Sequence, residues 1–178
     1  MLRLITDFDG PIMDVSDRYY HVYKLCLETI KNSDQPIKQM SKSEFWQFKR
    51  AKVPEIQIGI LSGLDELQAE KFAQMRRRIV HQMEYMGRDS LLPGAIEALE
   101  KLQKSGVDLA VMTMRRVREL GEAFDRYDLG RFFPDDRRYC LENNYIKTND
   151  VKDKPLLMEK ALKELPSASI TWMVGDTE

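Results

Sequence analysis

Two cysteines, two histidines and a formal charge of −1 remove many simple explanations for what this 178-residue chain does. Cys26 and Cys140 lie far apart and show no metal-ligand spacing. That excludes a disulfide-stapled miniprotein and fits two reduced, mostly buried thiols in a reducing compartment. His21 and His81 stand singly in helical segments, so neither reads as a ligand or a base. Lys plus Arg number 28 against 29 for Asp plus Glu, which leaves no global field to draw in nucleic acid. An anionic ligand would have to be held by a local pocket of donors and metal. No apolar run approaches the ~20 residues that span a bilayer, and the six residues before the first acidic cluster are too few for a signal peptide. The expected location is therefore cytoplasmic, with neither membrane nor nucleic acid as partner. With 43% apolar residues the chain is not disordered and can bury one core with room for an insertion.

Hydrophobic spacing divides the chain. Leu2, Leu4 and Ile5 form a short β-prone run that stops at the polar turn Thr6-Asp7-Phe8-Asp9-Gly10-Pro11. Spacing then becomes helical, with Tyr19, Val22, Tyr23, Cys26, Leu27 and Ile30 on one face. Ser33 to Pro36 breaks that helix. Ser41 and Glu44 have the spacing of a capping box and open a second helix carrying Phe45, Trp46 and Phe48. Pro54 and Gly59 punctuate the next stretch. A long helix is expected from Leu64 to Met86, with Leu67, Met75, Ile79 and Met83 on its apolar side and Arg76-Arg77-Arg78 on a solvated face. From Leu92 the pattern alternates: a helix opened by Pro93-Gly94 and ended by Gly106, a strand Val107–Thr113, a helix near Arg115–Phe124, a strand near Tyr139–Leu141, a helix starting at Pro155, and a strand Ile170–Val174. Alternation of this kind implies an α/β fold with a Rossmann-like parallel sheet. Residues 1–13 and 92–178 read as that core and residues 14–91 as an inserted all-helical cap.

In an open parallel sheet the ligand sits at the carboxyl ends of the strands. There the chain brings Asp7 and Asp9, Thr113, Lys154 ahead of a helix, and Gly175-Asp176. Carboxylates crowded at one rim repel each other unless a cation is present, and a hard divalent ion such as Mg²⁺ takes one or two carboxylates together with a substrate phosphate. Asp7, Asp9 (through its carbonyl) and Asp176 would make that metal site. With Lys154 and Thr113 added, the rim suits a phosphoryl group.

In these residues the chain resembles the haloacid dehalogenase superfamily, and within it the phosphoglycolate phosphatase-like members that carry a helical cap after the first motif. Asp7-Phe8-Asp9-Gly10-Pro11 is similar to the first motif, Thr113 after Val111-Met112 to the second, Lys154-Pro155 to the third and Gly175-Asp176 to the fourth. Leu92-Pro93-Gly94 ahead of the second motif is also typical. The resemblance spans nearly the whole chain and implies a Mg²⁺-dependent phosphatase acting on a small phosphorylated metabolite through an aspartyl phosphate. By the same resemblance Asp7 is the nucleophile, Asp9 the acid and base, Thr113 a holder of phosphate oxygens and Lys154 the stabiliser of developing charge. Phe8, Gly10 and Met114 would line the phosphate site, and Arg50, in the basic stretch Lys49, Arg50 and Lys52, is a candidate for reading the leaving group. Two other readings stay open: a phosphoglucomutase-like phosphosugar mutase, and a catalytically impaired protein that binds a phosphorylated ligand or a partner.

Arg115 and Arg116 come soon after Thr113 and one of them could touch the substrate, yet arginines in an opening helical turn are usually solvated, and that is the expectation for them. The family's fourth motif continues with a second acid about four residues beyond Asp176, and then with a further strand and helix. The C-terminal end of the core is thus expected to be missing, leaving apolar Ile170–Val174 as a sheet edge. A homo-oligomer is expected if a second copy covers that edge.

Overall fold

Each change of hydrophobic spacing has a counterpart in the structure, a computed structural model that describes residues 1–175. In chain order the elements are strands β1 (Leu2–Thr6) and β2 (Met13–Asp14), then helices α1 (Ser16–Ile30), α2 (Lys42–Arg50), α3 (Glu55–Leu61), α4 (Glu66–Ile79) and α5 (Met83–Met86). Next come β3 (Ser90–Leu91), α6 (Ala95–Lys104), β4 (Asp108–Arg116), α7 (Val117–Tyr127), β5 (Arg138–Leu141), α8 (Asp150–Glu164) and β6 (Ile170–Val174). They fall into two compact units, Met1–Asp14 with the chain from Ser90 onward, and Val15–Asp89.

The first unit is a Rossmann-like α/β core. Its sheet has the order β5-β4-β1-β6 and every pairing is parallel. β1 is interior: Thr6 pairs with Val111 on one side and Val174 on the other, so the functional turn that starts at Asp7 leaves the sheet at its carboxyl end. Ile5, Ala110, Met112 and Tyr139 pack with Leu157 and Ala161 of α8 in one buried cluster. Phe8, Phe124 and Phe133 add a chain of aromatic contacts with centroids 5.8 and 6.1 Å apart. Each such side chain contributes about 1.5–3 kcal/mol by leaving water. β6 is the last strand on its side of the described sheet, and Ile170, Trp172, Met173 and Val174 are exposed. Met13–Asp14 and Ser90–Leu91, where the chain leaves and re-enters this unit, pair antiparallel, a short ladder that leaves no mark in the hydrophobic pattern.

Two boundaries at the rim of this unit differ from the expectation. β4 runs past Thr113 to Arg116, which pairs with Leu141 beyond an irregularity in the ladder, so Arg115 belongs to a strand. α8 starts at Asp150 and holds Pro155 inside it, so Lys154 is a helical residue and not the one preceding the helix. The reason is a cap upstream of the proline: the Asn149 side chain accepts the N–H of Lys152, which starts the helix a turn early.

The helical unit has its own core, built on Val22, Tyr23, Cys26, Leu27, Phe45, Ile58 and Phe72. Ser41 and Glu44 form the expected capping box, and Asp65 with Gln68 forms a second. The long helix expected over Leu64–Met86 is two helices, α4 and α5. It stops where the buried Arg18 guanidinium donates to the Val80 carbonyl at 3.0 Å. The buried stripe of α4 is Ala69, Phe72, Ala73, Arg76 and Ile79, while Leu67 and Met83, expected to be buried, are exposed. Arg76 is a correction of a different kind. Expected on a solvated face, it is instead buried, paired with Glu55, with its guanidinium carbon 5.3 Å from the Phe45 centroid. The stretch punctuated by Pro54 and Gly59 holds a helix, Glu55–Leu61; Gly59 sits so close to α4 that a Cβ there would lie 3.1 Å from the Cβ of Ala69. Burial pushes the Cys26 thiol up to about 11, which keeps it protonated and inert. Among the described residues no helix is long and apolar enough to cross a membrane.

Candidate active site

The turn after β1 is built by its own backbone. Ile12 and Met13 both donate N–H to the Phe8 carbonyl, at 3.1 and 3.0 Å, and Gly10 donates to Met13 at 2.9 Å. Gly10 takes φ = 99°, a region open to glycine and strained for other residues. Asp7 is anchored to the neighbouring strand, its N–H donating to the Val174 carbonyl at 2.7 Å. The turn therefore holds two carboxylates, Asp7 and Asp9, at the end of an interior strand.

Each carboxylate meets a cation from a distant part of the chain. Lys154 Nζ, from the first turns of α8, donates to Asp7 Oδ2 at 2.8 Å. The other Asp7 oxygen accepts the N–H of Phe8 at 2.7 Å. Asp7 is buried, and that burial, with a further push from the Asp9 charge, raises its pKa above the ordinary carboxylate value although Lys154 and the Phe8 N–H oppose the rise. Asp9 is more open and accepts from Arg115 Nε at 2.8 Å. Arg115, expected to be solvated, is almost fully buried. Nothing local in the sequence marks it, because its partner Asp9 lies 106 residues away.

Lys154 follows a carboxylate that braces the start of α8. Its neighbour Asp153 is buried and accepts the N–H of Thr148 at 2.8 Å, the Thr148 hydroxyl at 3.0 Å and the Tyr145 hydroxyl at 3.0 Å. Burial opposes ionisation of Asp153, but these donors outweigh it and hold its carboxyl below the usual range. Sequence reading missed this residue, because nothing in Thr148-Asn149-Asp150 marks a loop folded back on the next helix.

The structure also places the other sequence candidates. Thr113 is buried on β4, adjacent to β1, and its hydroxyl accepts the Arg115 N–H at 3.2 Å. The Phe8 side chain is fully buried, and Met114 is half-buried and packs against the core cluster of α8. Arg50 ends α2 in the helical unit and is exposed, while Lys49 is paired with Glu55. Asp176 lies outside the described residues. Among the described residues no group of three or more His, Cys, Asp or Glu side chains converges as a metal site. The donors that are present suit a hard divalent cation nonetheless: they are oxygens, and Asp7 and Asp9 repel one another across the turn.

A family profile described as haloacid dehalogenase-like hydrolase matches residues 3–178. Among solved structures, the chain is similar to a haloacid dehalogenase-like family hydrolase from Streptococcus pneumoniae, with a TM-score of 0.60 at 17% identity, covering 99% of this chain and 76% of that one. It is similar to a predicted phosphatase from Clostridium acetobutylicum, with a TM-score of 0.62 at 17% identity over 98% and 75% of the two chains. A Mycobacterium tuberculosis protein named as protein tyrosine kinase A matches with a TM-score of 0.65 at 20% identity over 99% and 74%. Likeness at these identities establishes the fold, and one fold carries several chemistries. No curated protein matches the chain significantly.

Proposed function

The chain belongs to the haloacid dehalogenase-like hydrolases, and from that premise we propose that it is a Mg²⁺-dependent phosphatase that hydrolyses a small phosphorylated metabolite through an aspartyl phosphate on Asp7. The observation that carries this reading is the contact between Lys154 Nζ and Asp7 Oδ2, which joins residues 147 positions apart at 2.8 Å. A carboxylate fixed by a backbone N–H on one oxygen and an ammonium on the other is oriented for attack. The same ammonium offsets the charge of an incoming phosphate.

In the first step a carboxylate oxygen of Asp7 bonds to phosphorus and the bond from phosphorus to the leaving oxygen breaks. Asp9, two residues along the same turn, donates a proton to that oxygen. In the second step Asp9 takes a proton from water, the water oxygen bonds to phosphorus, and the bond to Asp7 breaks. Thr113 and the main-chain N–H groups of the turn would hold the oxygens that stay on phosphorus. Asp7, the Asp9 carbonyl and Asp176 would hold Mg²⁺, which would supply neutralisation of phosphate charge. Arg50 is the cap residue we assign to the leaving group.

The test is release of inorganic phosphate from para-nitrophenyl phosphate by the whole chain. Turnover should require Mg²⁺, stop in excess chelator and vanish in Asp7→Asn. Turnover undiminished by chelator, or retained in Asp7→Asn, would overturn the reading.

A further inference from the structure

From the buried contact between β4 and the first turn, we infer that Arg115 is a positioning residue for Asp9: it fixes how the Asp9 carboxylate is oriented at the end of β1. Two guanidinium nitrogens converge on one oxygen, with Nε 2.8 Å and Nη2 2.7 Å from Asp9 Oδ1. An oxygen receiving two charge-assisted bonds is held, and the orientation of the whole carboxylate is set with it. The guanidinium is itself immobile. Its carbon lies 4.9 Å from the Phe8 ring centroid, its Nη1 faces the Glu119 carbonyl at 3.4 Å, and its backbone N–H is bonded to the Thr113 hydroxyl at 3.2 Å. The Arg115 side chain is 2% exposed against 29% for Asp9, so a rigid interior cation steers a carboxylate that reaches solvent. Arg115 acts through Asp9.

The inference rests on the proton-shuttle role proposed for Asp9, and the experiment separates the two. Phosphorylation and steady-state rates are measured with para-nitrophenyl phosphate, whose leaving group needs little protonation, and with phenyl phosphate, whose leaving group needs more. Asp9→Asn should lose roughly 10²–10⁴-fold on phenyl phosphate and far less in the first step with the nitrophenyl ester. Arg115→Met should lose in the same pattern, about 10–100-fold on phenyl phosphate, because misplacement of a catalytic group by about 1 Å costs up to that much. Arg115→Lys should fall between, with one nitrogen to bring to Asp9 where the arginine brings two. The double variant Asp9→Asn/Arg115→Met should be no slower than Asp9→Asn alone, since a residue acting only through Asp9 has nothing left to position.

Losses in the Arg115 variants that are equal on both substrates, or that multiply with the Asp9→Asn loss, overturn the positioning role while leaving Asp9 as the shuttle. Absence of any leaving-group dependence in Asp9→Asn overturns the shuttle and the inference with it. If Arg115→Met does not fold, Arg115→Lys decides, with thermal unfolding to show that its fold is intact.

Discussion

Converting Glu55 to glutamine strands a cation inside the helical unit, and exposure sets the cost. Glu55 pairs with both Lys49 and Arg76; the Arg76 side chain is 2% exposed, whereas Lys49 and Glu55 are 22% and 24% exposed. After Glu55→Gln, Lys49 can turn to water. Arg76 cannot, being packed between Phe45 and Tyr19, with its guanidinium carbon 5.3 and 5.7 Å from their centroids. Its Nε already has no hydrogen-bond partner among the described residues. Removing one partner of a fully buried pair costs ~3–5 kcal/mol; the partial exposure of Glu55 and the amide's remaining acceptor reduce that to about 2–3 kcal/mol. The pH dependence has a definite sign. Burial works against ionisation of Glu55, but Arg76 and Lys49 outweigh it, and its carboxyl sits below the ordinary value. Its stabilisation is therefore present above the unfolded value of ~4.3 and is lost as the pH falls through the folded value. Urea unfolding, monitored by Trp46 fluorescence in a Trp172→Phe background, should show the full difference at pH 7 and a shrinking one below pH 5. Replacing both partners, Glu55→Gln with Arg76→Met, should recover most of the loss. A Glu55→Gln cost under ~0.5 kcal/mol at pH 7, or one that does not change on acidification, would mean that Glu55 does not compensate the buried Arg76 charge.

Two further substitutions probe the site and the packing. Asp153→Asn weakens the acceptor for Thr148 and Tyr145 and should loosen Lys154, so turnover should fall about 10-fold or more with the fold retained, read by steady-state kinetics beside circular dichroism. Unchanged turnover would remove Asp153 from the support of the site. Gly59→Ala would press a Cβ to 3.1–3.2 Å from Ala69 and Phe72 and should cost ~1–3 kcal/mol in urea unfolding; a neutral or stabilising result would mean that α3 can move off α4 at no cost.

How much is legible in the sequence depends on the range of the chemistry. The strand, the turn at Asp7–Gly10 and the capping box at Ser41 and Glu44 depend on residues within a few positions of each other, and the structure contains them. Alternation after Leu92 is enough for the parallel sheet, because covered parallel strands leave long apolar runs between helical segments. Arg76 and Arg115 could not be read in this way. A charged side chain is buried only when a partner meets it, and Glu55 and Asp9 lie 21 and 106 residues away. Pro155 misled because proline favours the first turn of a helix, while Asn149 caps α8 before it. The break at Val80 is tertiary as well, since its carbonyl is taken by Arg18 from 62 residues away.

If Asp7 becomes phosphorylated and Asp9 moves the proton, substitutions at the two residues part company in a labelling experiment. The experiment is acid-quenched labelling with a radiolabelled aryl phosphate, because an acyl phosphate survives the quench and its position can be mapped. Asp7→Asn should take up no label. Asp9→Asn should accumulate label on Asp7, since the activated first step proceeds while the hydrolysis that needs a base stalls. Label on Asp7→Asn as abundant as on Asp9→Asn would contradict the account and place the nucleophile elsewhere.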